Sequence, residues 1–264
     1  MRIALISDIH GNMDALEVVL ADIDRQINTA KGDEIWCLGD IIGYGPDPVA
    51  CVDTVARRCK WSLMGNHDFG VLYEPTNFNA AAEQAAHWTR KQFEAEAKLD
   101  REGAVKRWEF LGKLRVRVNE GPFLCVHGTP RRPINEYLFP EDADNSPNKM
   151  QQIFERIEHC CFVGHTHVPG VFTGDCDFYS PREISDSTWQ FKSGEKVIIN
   201  PGSVGQPRDL DPRSSYAIIE LDGSGEAKSA KFIRLEYNAK AVSEKIHGIP
   251  ELNNWLGERL LEGR

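Results

Sequence analysis

The chain has 264 residues, with 31 Lys and Arg against 40 Asp and Glu, giving a net charge of −9. That mild acidity argues against a protein that coats nucleic acid, because such binding rests on many basic contacts to phosphate. At 41% hydrophobic and 27% charged residues, the composition is that of a folded protein of one large domain and excludes a mostly disordered chain. No apolar run reaches the roughly 18 residues that a membrane span requires. Asp8 also interrupts the N-terminal apolar stretch before a secretory signal forms, so a cytoplasmic location without membrane attachment is expected. The seven cysteines are odd in number, scattered and free of CxxC pairs. They read as small buried hydrophobes in a reducing compartment, not as disulfides or a thiolate metal site.

In chain order, Arg2 to Ile6 reads as a short buried strand that stops at Ser7-Asp8, followed by a helix from about Asn12 with Leu16, Val19, Leu20 and Ile23 on one face. Glu34 to Leu38 repeats the strand pattern and ends at Gly39-Asp40; Pro48 to Arg58 is a helix with proline in its first turn. Trp61 to Met64 is a third strand, ending at Gly65-Asn66-His67-Asp68. Three strand-loop-helix units predict an α/β sheet with helices on its faces. Residues 79 to 113, rich in Ala, Glu, Lys and Arg, predict two helices broken near 99 to 103, a cap or flank at about 77–113. Their Trp88, Phe93, Trp108 and Phe110 read as packing residues, with an apolar wall for an organic group as the alternative. Strands follow at 122–126, ending at His127-Gly128, and at 160–163, ending at Gly164-His165-Thr166-His167, with a helix at 148–157 between them. Segments 168–173, 196–199, 215–221 and 230–236 carry β character and suggest a second, more antiparallel sheet. Two helices close the chain at about 239–262, and no linker divides it, so residues 1–264 read as one domain.

Five of these predicted strands end in residues that ligate metals. In an open α/β sheet the carboxyl ends of the strands converge on one edge, so side chains far apart in sequence meet there. The set is Asp8, His10, Asp40, Asn66, His127, His165 and His167, with His67 and Asp68 beside it. Imidazole with carboxylate and amide oxygen suits Mn, Fe, Ni or Zn. Seven ligands exceed what one ion uses while keeping a position for water, and two divalent ions sharing Asp40 is the economical solution. Two such ions activate water and grip phosphoryl oxygens, which makes a phosphoester the fitting substrate. His67 is placed to protonate the leaving alkoxide or to stabilise phosphoryl charge, with Asp68 fixing its tautomer.

The ordered set D-x-H, G-D, G-N-H-D, H-G and G-H-x-H resembles the calcineurin-like metallophosphoesterase superfamily. The run Asn200-Pro201-Gly202-Ser203-Val204-Gly205-Gln206-Pro207-Arg208 is similar to that of its small bacterial phosphodiesterases and diadenosine-tetraphosphatase-like members. The resemblance implies an αββα sandwich of two mixed β-sheets flanked by helices, with a helical cap insertion and a di-metal centre between the sheets. It implies that Asp8, His10 and His167 hold one ion, that Asn66, His127 and His165 hold the other, and that Asp40 holds both. A bridging hydroxide would then attack phosphorus in line, without a covalent intermediate, and His67 would contact phosphate and assist the leaving group. Small phosphoesters, nucleotides or phosphoproteins are the implied substrates. A catalytically inactive scaffold and a nuclease are the alternatives: the first is disfavoured because every ligand position and the histidine are filled, the second by the net charge.

Arg208, Gly202 and Ser203 are candidates for contact with substrate, Arg208 because a guanidinium grips phosphate bidentately. Arg213, with Asp209 and Asp211 as competing partners, and Arg131-Arg132 are weaker positive edges. His87, His159 and His247 have no partner pattern and read as surface or structural residues.

Overall fold

The computed structural model describes residues 1–264. The first sheet holds β1 (Arg2–Ile6), β2 (Glu34–Cys37), β3 (Trp61–Ser62), β9 (Thr188–Gln190), β11 (Ser214–Leu221) and β12 (Ala227–Leu235), in the order β3-β2-β1-β11-β12-β9. The second holds β4 (Arg117–Glu120), β5 (Phe123–Val126), β6 (Cys160–Phe162), β7 (Gly170–Thr173), β8 (Phe178–Tyr179) and β10 (Val197–Asn200), in the order β4-β5-β6-β10-β7-β8. The helices are α1 (Met13–Gln26), α2 (Pro48–Arg58), α3 (Asn66–Leu72), α4 (Ala80–Glu96), α5 (Arg101–Gly112), α6 (Asp142–Asn145), α7 (Pro147–Phe154), α8 (Ala239–His247) and α9 (Trp255–Glu262).

Successive side chains of a strand point to opposite faces, and that alternation divides the core into layers. Ala4 and Ile6, Ile35 and Cys37, and Tyr216 and Ile218 face the helices with Leu16, Val19, Val52 and Val55. Their neighbours Ile3, Leu5, Trp36, Leu38, Ala217 and Ile219 face inward, where they meet Phe123, Cys125, Phe162, Val197 and Ile199 of the second sheet. The outer face of that sheet, through Leu124, Val126, Cys161 and Ile198, packs on Met150, Ile153 and Phe154 of α7. The result is helix, sheet, sheet, helix. Trp36 anchors the middle layer, with Trp61 at 4.9 Å and Phe123 at 6.0 Å between ring centroids. Each cysteine is free, and five of the seven are buried.

The division of strands between the sheets differs from the sequence expectation. β5 and β6 do not extend the first sheet: β5 pairs with β6, and β6 with β10, in parallel, inside the second. The β11–β12 hairpin does not join the second sheet but pairs antiparallel to β1 in the first. A strand buried on both faces reads as an apolar run whichever sheet takes it, so long-range pairing decides. Both sheets are consequently mixed. α4 and α5 pack on α2 and α3 outside the first sheet, and Phe93 and Trp108 sit ring to ring at 5.5 Å in that core, not as a wall over the strand ends.

Candidate metal centre

The parallel runs β1-β2-β3 and β5-β6-β10 deliver their carboxyl ends to one edge, and the backbone there is bent sharply. Asp8 (φ 53°), His10 (49°), Asp40 (51°), His165 (68°) and His167 (62°) all occupy the left-handed region. Each such non-glycine residue costs on the order of 1–3 kcal/mol, and the surrounding bonds hold it there. Asp8 N donates to Gly39 O at 3.0 Å, His10 N to Asp40 O at 3.0 Å, and Gly164 N to His127 O at 2.8 Å. Across the two sheets, His165 N donates to the Asp8 carboxylate at 3.1 Å. Asn200, fully buried at the end of β10, donates to Gly164 O and to Thr166 Oγ1, both at 2.9 Å, which secures the G-H-T-H turn.

Two ligand groups result. Asp8, His10, Asp40 and His167 converge on one point, and Asp40, His127 and His165 on another, with Asp40 common to both; all are buried. Within the first group His10 Nε2 lies 3.0 Å from His167 Nε2, His167 Nε2 3.2 Å from Asp8 Oδ1, and His10 Nε2 3.6 Å from Asp40 Oδ2. The Nδ1 atoms face carbonyl oxygens, Ile42 O at 3.2 Å for His10 and Gln206 O at 2.5 Å for His167. A carbonyl only accepts, so Nδ1 carries the proton and Nε2 is a bare lone pair. Burial holds the imidazolium forms of both rings below their ordinary range, so both are neutral. Four electron-rich atoms therefore face one another with no proton among them, an arrangement that a cation satisfies.

The second group gives the same answer through atoms left without partners. Asn66 Oδ1, His127 Nε2 and His165 Nε2 are buried and accept or donate no hydrogen bond. His127 Nδ1 faces Leu38 O at 2.9 Å, leaving Nε2 turned to Asp40 Oδ2 at 3.3 Å. The donor chemistry of both groups fits divalent first-row ions.

A model of the calcineurin-like phosphoesterase superfamily domain matches residues 1–224. The chain belongs to the calcineurin-like phosphoesterases. A metallophosphoesterase of known structure from Sphaerobacter thermophilus is 36% identical, with a TM-score of 0.80 over 100% of this chain and 99% of that one. An uncharacterized protein of Methanocaldococcus jannaschii is 36% identical over 99% of this chain and 98% of its own. A symmetrical bis(5'-nucleosyl)-tetraphosphatase of Cellvibrio japonicus is 38% identical over a shorter stretch, 25% of this chain and 24% of that protein. Like other members, this phosphoesterase has two mixed β-sheets flanked by helices, and no helix in it is long and apolar enough to cross a membrane.

Around the two ligand groups, the remaining expected residues take different places. His67 packs against Tyr44 at 4.2 Å, Phe78 at 4.7 Å and His10 at 4.8 Å between ring centroids. Burial pushes its imidazolium down to about 4, so the ring is neutral, and its Nδ1 has no partner. The expected pairing with Asp68 is not made. The Asp68 carboxylate instead accepts from the backbone N–H of Asp40 (2.9 Å), Ile41 (3.0 Å), Ile42 (3.3 Å) and Gly65 (3.0 Å), which ties the G-D loop to the G-N-H-D loop. Burial and the Asp40 carboxylate push Asp68 up to about 7 against those four donors. Ser203 is also structural: it is fully buried, donating to Asp8 O and accepting from Gln206 N. Gly202 forms the turn before it, at φ 79° beside Ser215.

Arg208 has its guanidinium carbon 5.8 Å from the Tyr44 ring centroid and Nη2 on Gln206 Oε1 at 2.8 Å. Arg131 is paired with Glu136 at 2.5 Å, and Arg213 with Asp211 at 2.7 Å. Tyr44 and Tyr137, which sequence reasoning missed, shape the rest. Tyr137 stacks on His165 at 3.8 Å and on Phe139 at 5.1 Å, forming a column of rings that runs from a ligand outward to solvent. A tyrosine in a loop carries no periodic signal that distinguishes it from a packing residue.

Proposed function

We propose that this phosphoesterase binds two divalent ions, with Asp8, His10 and His167 at one, Asn66, His127 and His165 at the other and Asp40 between them, and hydrolyses small phosphoesters. The observation that carries this reading is the sharing of Asp40 by two buried groups, one with the bare nitrogen lone pairs of His10 and His167, the other with His127 and His165 Nε2 atoms that make no hydrogen bond. Two ions bound there would lower the pKa of a water and neutralise the oxygens of a phosphoryl group. Hydrolysis adds water across one P–O bond; the oxygen joins phosphorus and a proton goes to the departing alkoxide. Neutral His67 supplies an N–H toward that oxygen, and Arg208 holds charge on the phosphoryl oxygens. Asp68 acts through the loops it ties together, as a positioning residue for Asp40.

The ring column from His165 through Tyr137 to Phe139 favours a small ester with an aromatic group, such as a nucleotide, because a planar ring stacks on it without a long peptide to accommodate. The part-length similarity to symmetrical dinucleoside tetraphosphatases supports the same direction.

The test is hydrolysis of p-nitrophenyl phosphate and bis(p-nitrophenyl) phosphate by chelator-stripped protein, before and after addition of Mn, Fe, Ni or Zn. Activity that is absent after stripping and restored by an ion supports the proposal. Equal turnover by stripped and reloaded protein contradicts it.

A further inference from the structure

Resting on the phosphoesterase reading, we propose that Tyr44 is a positioning residue for His67. Together with Phe78 it aims Nε2 of that ring by packing, in place of the hydrogen bond that ordinarily holds a proton-donating histidine. A histidine that donates from one nitrogen is usually fixed through the other, by a carboxylate or a carbonyl. His67 has no such hold. It is 4% exposed, its Nδ1 is enclosed without a partner, and the neighbouring Asp68 carboxylate is taken up by backbone N–H groups. An enclosed N–H without an acceptor is rarer than an enclosed lone pair, so the proton belongs on Nε2. The direction of the ring is left to its neighbours.

Those neighbours close on it from several sides. Tyr44 lies 4.2 Å away at 50°, Phe78 4.7 Å away at 41°, and His10 4.8 Å away, edge to face. The backbone of Gly43 covers the enclosed nitrogen: a Cβ there would lie 2.5 Å from His67 Nδ1, so no side chain that could accept from it fits at that position. Tyr44 stands at φ 62°, a region that a bulky residue enters only where its surroundings hold it, and such residues gather at functional sites. Its ring also meets His10 at 4.8 Å and the Arg208 guanidinium carbon at 5.8 Å. One ring thus lies against a candidate ligand and against both side chains proposed to meet the phosphoester. Tyr44 is seated from behind in a core with Trp88 of α4, Ile246 of α8, and Leu256 and Leu260 of α9. α8 and α9 lie beyond residues 1–224, which the family model matches, and this seat gives them a part in the site. Phe78 comes from the turn before α4, so the helical cap supplies the second ring, and it packs on His67 without touching a ligand ring.

The test compares turnover of p-nitrophenyl phosphate and phenyl phosphate by Mn2+-saturated protein. Phenolate is the poorer leaving group, so its departure needs the proton more. Tyr44→Leu should lower kcat for phenyl phosphate about tenfold more than for p-nitrophenyl phosphate, and Tyr44→Phe, which keeps the ring, should restore the wild-type ratio. Phe78→Leu should shift the ratio in the same direction at wild-type Mn2+ content, and it decides the matter if Tyr44→Leu does not fold. Equal losses on both esters, or losses that follow lost Mn2+, would mean that the rings support only the fold or the ligands, and would overturn the inference. The His67 ring is also read without turnover, in the proton–nitrogen correlation spectrum of Zn2+-loaded protein, where its signals are those missing from His67→Gln. One sharp set, protonated at Nε2, is expected in the wild type and in Tyr44→Phe, and a broadened or doubled set in Tyr44→Leu and Phe78→Leu. That dependence without turnover of either ester keeps the positioning role and removes the phosphoesterase reading. Turnover with an ester ratio and ring signals indifferent to both leucine substitutions does the reverse.

Discussion

His127 shows how the centre works at the scale of one side chain. Burial by itself lowers an imidazolium pKa, but the carboxylates of Asp40 and Asp8 outweigh it and raise His127 to about 9 in the metal-free protein. An ion needs the Nε2 lone pair, so at neutral pH binding must expel a proton. Because the pKa is raised, metal affinity should increase with pH through about 9 and level off above it, with roughly one proton released per chain near pH 7.5. Titration calorimetry in two buffers of different ionisation enthalpy measures this directly; an affinity flat between pH 6.5 and about 9 would contradict it. Asn200 makes a second residue-level prediction. Asn200→Ala leaves Gly164 O and Thr166 Oγ1 without their donor, which should cost about 1–3 kcal/mol in chemical denaturation. It should also weaken metal binding by roughly 10–100-fold, as removal of a supporting residue does.

At the scale of elements, the ligands come from turns that follow strands, and these turns leave no room for a larger residue. A Cβ on Gly65 would lie 2.0 Å from Asp40 Oδ1, and one on Gly164 would lie 2.2 Å from Ser7 Oγ and 2.8 Å from an Asp8 oxygen. Gly65→Ala should therefore lower stability by about 1–3 kcal/mol and abolish high-affinity metal binding; a variant with wild-type affinity would show that the loop is free to shift. These turns were legible in the sequence, because Gly-Asp, Gly-Asn-His-Asp and Gly-His-Thr-His each follow a short apolar run. The supports of the ligands were not, since Leu38, Ile42 and Gln206 contribute only carbonyl oxygens and any residue offers one. The sheet assignment of β5, β6 and the β11–β12 hairpin was illegible for the reason already given, and the edge strands β4, β8 and β9 are too short or too polar to carry a pattern. Asp68 was placed at the site by sequence adjacency, but its partners are backbone N–H groups that only the folded loops bring to it.

At the scale of the whole molecule, the proposed centre would clamp the two sheets, with Asp8, Asp40 and Asn66 following strands of the first and His127, His165 and His167 following strands of the second. An ion that binds only the folded form adds RT ln(1 + [L]/Kd), about 2.7 kcal/mol at a hundredfold excess over Kd, and each kcal/mol is worth roughly 2–4 °C in a chain of this size. Chelation should accordingly lower the melting temperature by about 5–10 °C, reversibly; an unchanged melting curve would mean that nothing bridges the sheets. The C-terminal helices pack beside the candidate centre, because α9 brings Leu256 and Leu260 onto Tyr44. The most direct single measurement is elemental analysis of Mn2+-loaded wild-type and Asp40→Asn protein after gel filtration. Two ions per chain in the wild type, falling to one or none when the shared carboxylate is neutralised, are expected; a wild-type chain that retains no ion, or an Asp40→Asn chain that keeps both, would contradict a centre built around Asp40.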